Sequence, residues 1–143
     1  MATRTAKAEW RGTLQEGNGE MALGSGAWRG PFTFKTRFEG EGGANPEELI
    51  GAALAGCFSM QLGHGLAEAG TPVDSISTEA RVHLRAGDAG PSITRIDLVT
   101  RGRVTGVGEE AFREAAETAK SGCIVSRALA GVNEITLDAT LEN

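Results

Sequence analysis

The stretch NPEELIGAALAGCFSM, Asn45 to Met60, marks the point where the chain stops reading as sheet and starts reading as helix. Asn45 offers a side-chain oxygen as N-cap, Pro46 suits the first helical position, and Glu48 stands three residues after the cap, as a capping box requires. Leu49, Ala53, Cys57 and Met60 then follow one stripe, with Ile50, Leu54, Phe58 and Leu62 in a second beside it. More than half of the helix surface is therefore apolar, which predicts a central, buried helix. It ends near Gly70, and Pro72 follows.

Upstream, the segments AKAEWRGTL, EMALGSG and PFTFKTRF read as short strands, with QEGNG (residues 15 to 19) as a turn, so the N-terminal third is expected to form a small antiparallel meander. GEGGAN, residues 40 to 45, reads as a loop. Downstream, Thr78, Ala80, Val82 and Leu84 alternate with Ser77, Glu79, Arg81, His83 and Arg85, the period of a strand with one wet face. The GDAGPS turn, residues 87 to 92, reverses the chain into ITRIDLVTRGRV, completing a long hairpin. A second helix runs from about Gly108 through EEAFREAAETAK and stops at Ser121 and Gly122. The short helical turn CIVSRALAG follows, and Ile135, Leu137, Ala139 and Leu141 alternate along a last half-buried strand. Grouped strands, helix, strands, helix and strand make an α+β fold.

At 143 residues the chain is expected to form one domain over 1–143, large enough for a core without disulfide staples. Its apolar runs fall short of the roughly 18 residues needed to cross a bilayer, and residues 1 to 20 contain no signal-peptide h-region. A cytoplasmic location without a membrane partner is expected. The formal charge of −5, with both signs interspersed, argues against nucleic acid as a partner, and 5% aromatic content without Tyr offers no base-stacking platform. The two histidines, His64 and His83, lie in different elements, so a metal-dependent hydrolase is disfavoured.

The two cysteines are far apart in a chain that reads as cytoplasmic, which leaves them as either inert core residues or redox residues. Cys57 sits mid-helix, beyond reach of the helix dipole, so a reactive thiolate there needs a cation from elsewhere. Cys123 follows the Ser-Gly break and opens a new helical turn, where backbone N–H groups lower a thiol pKa. Arg37, placed between a strand-like segment and the glycine loop, and Glu47, in the first helical turn, are the charged candidates nearby. Glu47 and Cys57 are ten residues apart, about 15 Å along a straight helix and about 80° round it, so they cannot touch within one such helix.

The block FKTRFEGEGGANPEELIGAALAGCFSM, the later SGCIVSRAL and the final NEITLDATLE together closely resemble the osmotically inducible protein C (OsmC) family over essentially the whole chain. The resemblance implies an OsmC-like fold, antiparallel sheets packed around two central helices in an intertwined homodimer, and a thiol peroxidase used in oxidative and osmotic stress defence. Matched motif by motif, Cys57 corresponds to the peroxidatic cysteine, Cys123 to the resolving cysteine, Arg37 to the catalytic arginine and Glu47 to the glutamate that holds it. Placement of the arginine just ahead of NPEE resembles the OsmC branch rather than the sister organic hydroperoxide resistance (Ohr) branch. Leu54 and His64 depart from relatives and are expected to alter the pocket lining. The implied substrate is an organic hydroperoxide, with Phe58, Leu54 and Met60 as its apolar neighbours, and the implied reductant is a dithiol or lipoyl-type carrier. No metal, haem or flavin is called for. A competing reading keeps the fold and makes the protein a non-catalytic binding or structural protein with inert core cysteines.

Overall fold

Three short strands, β1 (Ala6–Arg11), β2 (Asn18–Leu23) and β3 (Arg29–Phe32), open the computed structural model, which describes residues 2–143. They form an antiparallel sheet in the order β1-β2-β3, with Trp10 opposite Gly19 and Gly19 opposite Phe32. Trp10 and Phe32 thereby lie on one face, their ring centroids 5.3 Å apart. The meander read from the sequence is present.

The strand reading of PFTFKTRF holds only to Phe32. Phe34–Phe38 forms a short helix, α1, because Thr33 and Thr36 close a reciprocal capping box: the Thr36 backbone N–H donates to Thr33 Oγ1 at 3.2 Å, and the Thr33 N–H donates to Thr36 Oγ1 at 3.0 Å. Alternation of Phe34, Thr36 and Phe38 with charged residues mimics a strand, but these local hydrogen bonds select the helix. A loop then leads to α2 (Pro46–Glu68), whose cap is as expected, with the Glu48 N–H donating to Asn45 Oδ1 at 2.8 Å. At the far end Gly70, at φ 87°, closes a Schellman motif: its N–H donates to Ala67 O, and the Thr71 N–H reaches back to Leu66 O.

The chain divides into two compact units, one ending at Leu49 and the other Ile50–Asn143, with the boundary in the first turns of α2. In the second unit β4 (Ser75–Arg85) and β5 (Ser92–Arg103) form the expected long hairpin, with a bulge between His83 and Leu84. Helices α3 (Glu109–Gly122) and α4 (Ile124–Ala128) then carry the chain back to the start of β5, so β6 (Glu134–Leu141) pairs with β5 in parallel. The second sheet, β4-β5-β6, is therefore mixed rather than wholly antiparallel, a pairing that alternation within β6 cannot reveal.

Leu54, Phe58, Leu62 and Leu66 of α2 pack with Ile96 and Leu98 of β5, Phe112, Ala116 and Ala119 of α3, and Cys123 into one core. Each fully buried large side chain contributes about 1.5–3 kcal/mol. A chain of hydroxyls fixes α2 on the sheet, Ser59 Oγ donating to Thr78 Oγ1 at 2.7 Å, with Thr100 Oγ1 2.9 Å beyond. The expectation that α2 is buried is corrected on one side. Ala52, Ala53 and Gly56 are exposed, and Met60 is 79% exposed. The expectation about apolar length is corrected as well, because α2 is long and apolar enough to cross a bilayer by length and composition. Glycines and a serine interrupt its apolar run without making the helix polar, and its buried leucines make it a core helix.

Candidate active site

The structure arranges the four candidate residues as two pairs, one in each unit. In the first unit, Thr36 Oγ1 donates to Ala44 O at 2.8 Å and Asn45 Nδ2 donates to Thr36 O at 3.2 Å, which ties α1 to the start of α2 across the loop. This tie brings Arg37 against Glu47. Arg37 Nη2 donates to Glu47 Oε1 at 2.8 Å, while Nε donates to Oε1 at 3.1 Å and to Oε2 at 3.3 Å. The Glu47 side chain is only 10% exposed and that of Arg37 38%, so the carboxylate is fixed in the protein and holds one edge of a guanidinium that keeps access to its surroundings.

In the second unit, Cys123 is fully buried and caps the first turn of α4, while Cys57 is half-buried against the same core. Both are free thiols. Burial pushes the Cys123 thiol up, but the hydrogen bond offered by Cys57, the backbone N–H and hydroxyl of Ser126 and the backbone N–H of Val125 together hold it below its ordinary value. Ser126 Oγ is buried without a hydrogen-bond partner among the described residues. Two free thiols that belong to one core cluster, one of them at the start of a helical turn, are candidates for a disulfide.

Two expectations about the surroundings are corrected. Leu54 and Phe58 are fully buried core residues, on the face of α2 that meets the sheet and α3, so they do not line an open pocket. His64 is exposed, and His83 is bonded at 2.7 Å to Asp97 on the second sheet. Among the described residues no group of three or more His, Cys, Asp or Glu side chains is placed to hold a metal ion. The sequence reading also passed over Ser126, three residues after Cys123, and the pair Phe34 and Phe38 flanking Arg37. Their signals were the N3 position of a helical turn and an i,i+4 aromatic spacing.

A family model described as OsmC-like protein matches residues 38–138. The chain belongs to the OsmC family. It is 45% identical over 141 residues, 98% of this chain and 97% of the relative, to the peroxiredoxin OsmC of Escherichia coli strain K12. Among solved structures, an OsmC-like protein from Vibrio cholerae superposes with a TM-score of 0.76 at 16% identity, covering 97% of this chain and 99% of that one. An organic hydroperoxide resistance protein of Bacillus subtilis gives 0.68 at 24%, covering 96% and 98%. These likenesses to solved structures speak to the fold.

Proposed function

We propose that the chain reduces organic hydroperoxides to alcohols, with Cys57 as the attacking sulfur, Cys123 as the resolving sulfur, and Arg37 and Glu47 as the pair that charges the attacking thiol. Family membership fixes the broader class, a cysteine-based peroxidase. The observation that supports the finer reading is that Cys57 packs against the same buried cluster that contains Cys123, at the start of α4.

The Cys57 thiolate attacks the terminal oxygen of the hydroperoxide. An S–O bond forms, the O–O bond breaks, and the departing alkoxide takes a proton to leave as alcohol. Sulfur, oxidised by two electrons, is now a sulfenic acid. Cys123 attacks it, the S–S bond forms, and the hydroxyl leaves as water with the thiol proton. A dithiol or lipoyl-type reductant restores both thiols by exchange. Exposed apolar groups, Met60 one turn from Cys57 and Phe38 beside Arg37, favour a substrate with hydrocarbon to bury over hydrogen peroxide.

The working unit in this reading is a homodimer. Ala53, Gly56 and Met60 leave an apolar face of α2 open, and β1 is exposed along its whole length. Ten residues of straight helix separate Glu47 from Cys57 by about 15 Å, so the Arg37 and Glu47 of one copy serve the Cys57 of the other. Both units then act as one functional domain. The protein works in the cytoplasm against oxidative and osmotic stress, with neither nucleic acid nor membrane as a partner.

Intact mass spectrometry after one equivalent of cumene hydroperoxide tests the reading. The expected result is a loss of two mass units, located by peptide mapping to a Cys57 to Cys123 bond. Cys57→Ser abolishes peroxide consumption, and Cys123→Ser stalls at a sulfenic or over-oxidised sulfur. An unchanged mass, with Cys57→Ser behaving as the parent protein does, would leave both cysteines as core residues of a binding protein.

A further inference from the structure

The guanidinium of Arg37 is held on more than its Glu47 edge. Its Cζ lies 5.2 Å from the centroid of the Phe38 ring, within the range where a cation is attracted to an aromatic face. Adjacent residues of a continuing helix point about 100° apart and do not meet. Here they meet at the last residue of α1, Phe38. The ring is itself steadied from one turn back, Phe34 and Phe38 having centroids 4.9 Å apart at 44°. Phe38 nevertheless remains 38% exposed, so burial alone does not account for a large apolar side chain at this position.

We propose that Phe38 is a positioning residue for Arg37: its ring takes one face of the guanidinium while Glu47 takes the Nε and Nη2 edge. What remains is Nη1, which has no hydrogen-bond partner among the described residues, together with the second face. Charge is not the issue, since an arginine does not lose its proton. Direction is. A guanidinium tethered at one edge can still swing about its side-chain torsions, and a ring against its face restricts that swing, so Nη1 is presented in one orientation to an anionic sulfur. The inference rests on the reading in which Arg37 serves Cys57, and it gives Phe38 a role that acts through Arg37 and not on the sulfur directly.

The test uses the full-length chain carrying Cys123→Ser, so that a single thiol reports. The readout is the rate at which iodoacetamide alkylates Cys57 at neutral pH, which follows the thiolate. Phe38→Leu, which keeps an apolar side chain and removes the ring, is expected to slow alkylation roughly two- to tenfold. Pentafluorophenylalanine in place of Phe38 keeps the shape and reverses the ring quadrupole, so it should slow the reaction as well, without the packing change. Phe38→Trp should restore the parent rate. Arg37→Met separates the two levels of the argument. If Arg37→Met slows alkylation while the leucine and pentafluoro variants both react at the parent rate, the role of Phe38 is overturned and that of Arg37 stands. If Arg37→Met leaves the rate unchanged, the underlying reading of Arg37 falls, and the role of Phe38 falls with it.

Discussion

Between Ile50 and Asn143 the chain brings Leu54, Phe58, Ile96, Leu98, Val104 and Phe112 to zero exposure, whereas up to Leu49 the described residues that reach burial are Ala22, Gly30, Thr36 and Glu47. The second unit thus encloses an apolar core. The first is organised by polar contacts, with Thr36 hydrogen-bonded to Thr33 and Ala44, Asn45 to Thr36, and Arg37 to Glu47. A three-stranded meander without a buried face is marginal in water. The thiol pair therefore rests on a scaffold stable through its own packing, while the Arg37 and Glu47 pair rests on one that gains from a covering surface. A second copy of the chain is the covering that the proposed function supplies.

The sharpest way to break this contrast is through the core. Phe58→Ala removes a fully buried ring at the centre of the cluster, and the expected loss is about 3–5 kcal/mol in urea or guanidinium unfolding. Repeating the measurement over a range of protein concentrations sharpens the result. The parent midpoint should rise with concentration, as assembly requires, and the Phe58→Ala loss should persist at every concentration. A midpoint independent of concentration would leave the first unit without the cover proposed for it. A small loss from Phe58→Ala would mean that the packing of the second unit is not what holds it.

A smaller effect is expected from Thr36, the polar centre of the first unit. Thr36→Val keeps shape and removes the hydroxyl that caps α1 and donates to Ala44 O. Leaving these groups unpaired should cost about 1–3 kcal/mol. The loss should be local, with faster hydrogen exchange at amides of residues 33–45 while amides in β5 keep their protection. Uniform loss of protection over the whole chain would contradict the division of forces drawn above.

How much of this was legible follows from the range of the interactions concerned. The start of α2 is written in Asn45, Pro46 and Glu48, within four residues, and the structure uses the Asn45 cap as expected. Alternation along β4 and β6 is equally local and equally readable. Helix α1 is hidden because FKTRF alternates like a strand, and the deciding signal, Thr33 with Thr36, lies half outside that segment. The parallel partner of β6 and the inward aim of Leu54 and Phe58 depend on contacts with distant parts of the chain, which periodicity does not carry. At the site, Cys123 could be placed at a helix start from Ser121 and Gly122. The pairing of Arg37 with Glu47 spans a loop and came from the family resemblance alone.

The smallest expected effect lies on the outer face of the second sheet, where even the apolar unit relies on polar contacts. Asp97 on β5 accepts hydrogen bonds from Thr136 on β6 at 2.5 Å, from Arg95 at 2.5 Å and from His83 on β4 at 2.7 Å, joining all three strands. The Thr136 hydroxyl, then Arg95, then His83 hold its carboxyl well below the usual carboxylate range, against the opposing pull of burial. In the unfolded chain the group titrates near about 4, so on acidification the unfolded state takes up the proton first. The stabilisation is therefore present above about pH 4 and is lost as pH falls below it. Asp97→Asn should be less stable than the parent at pH 5.5, and the gap should narrow steadily towards pH 3 in urea unfolding of both proteins. A gap that stays constant over that range would show that these contacts act through shape and not through charge. The outer face would then obey the same packing rule as the core beneath it.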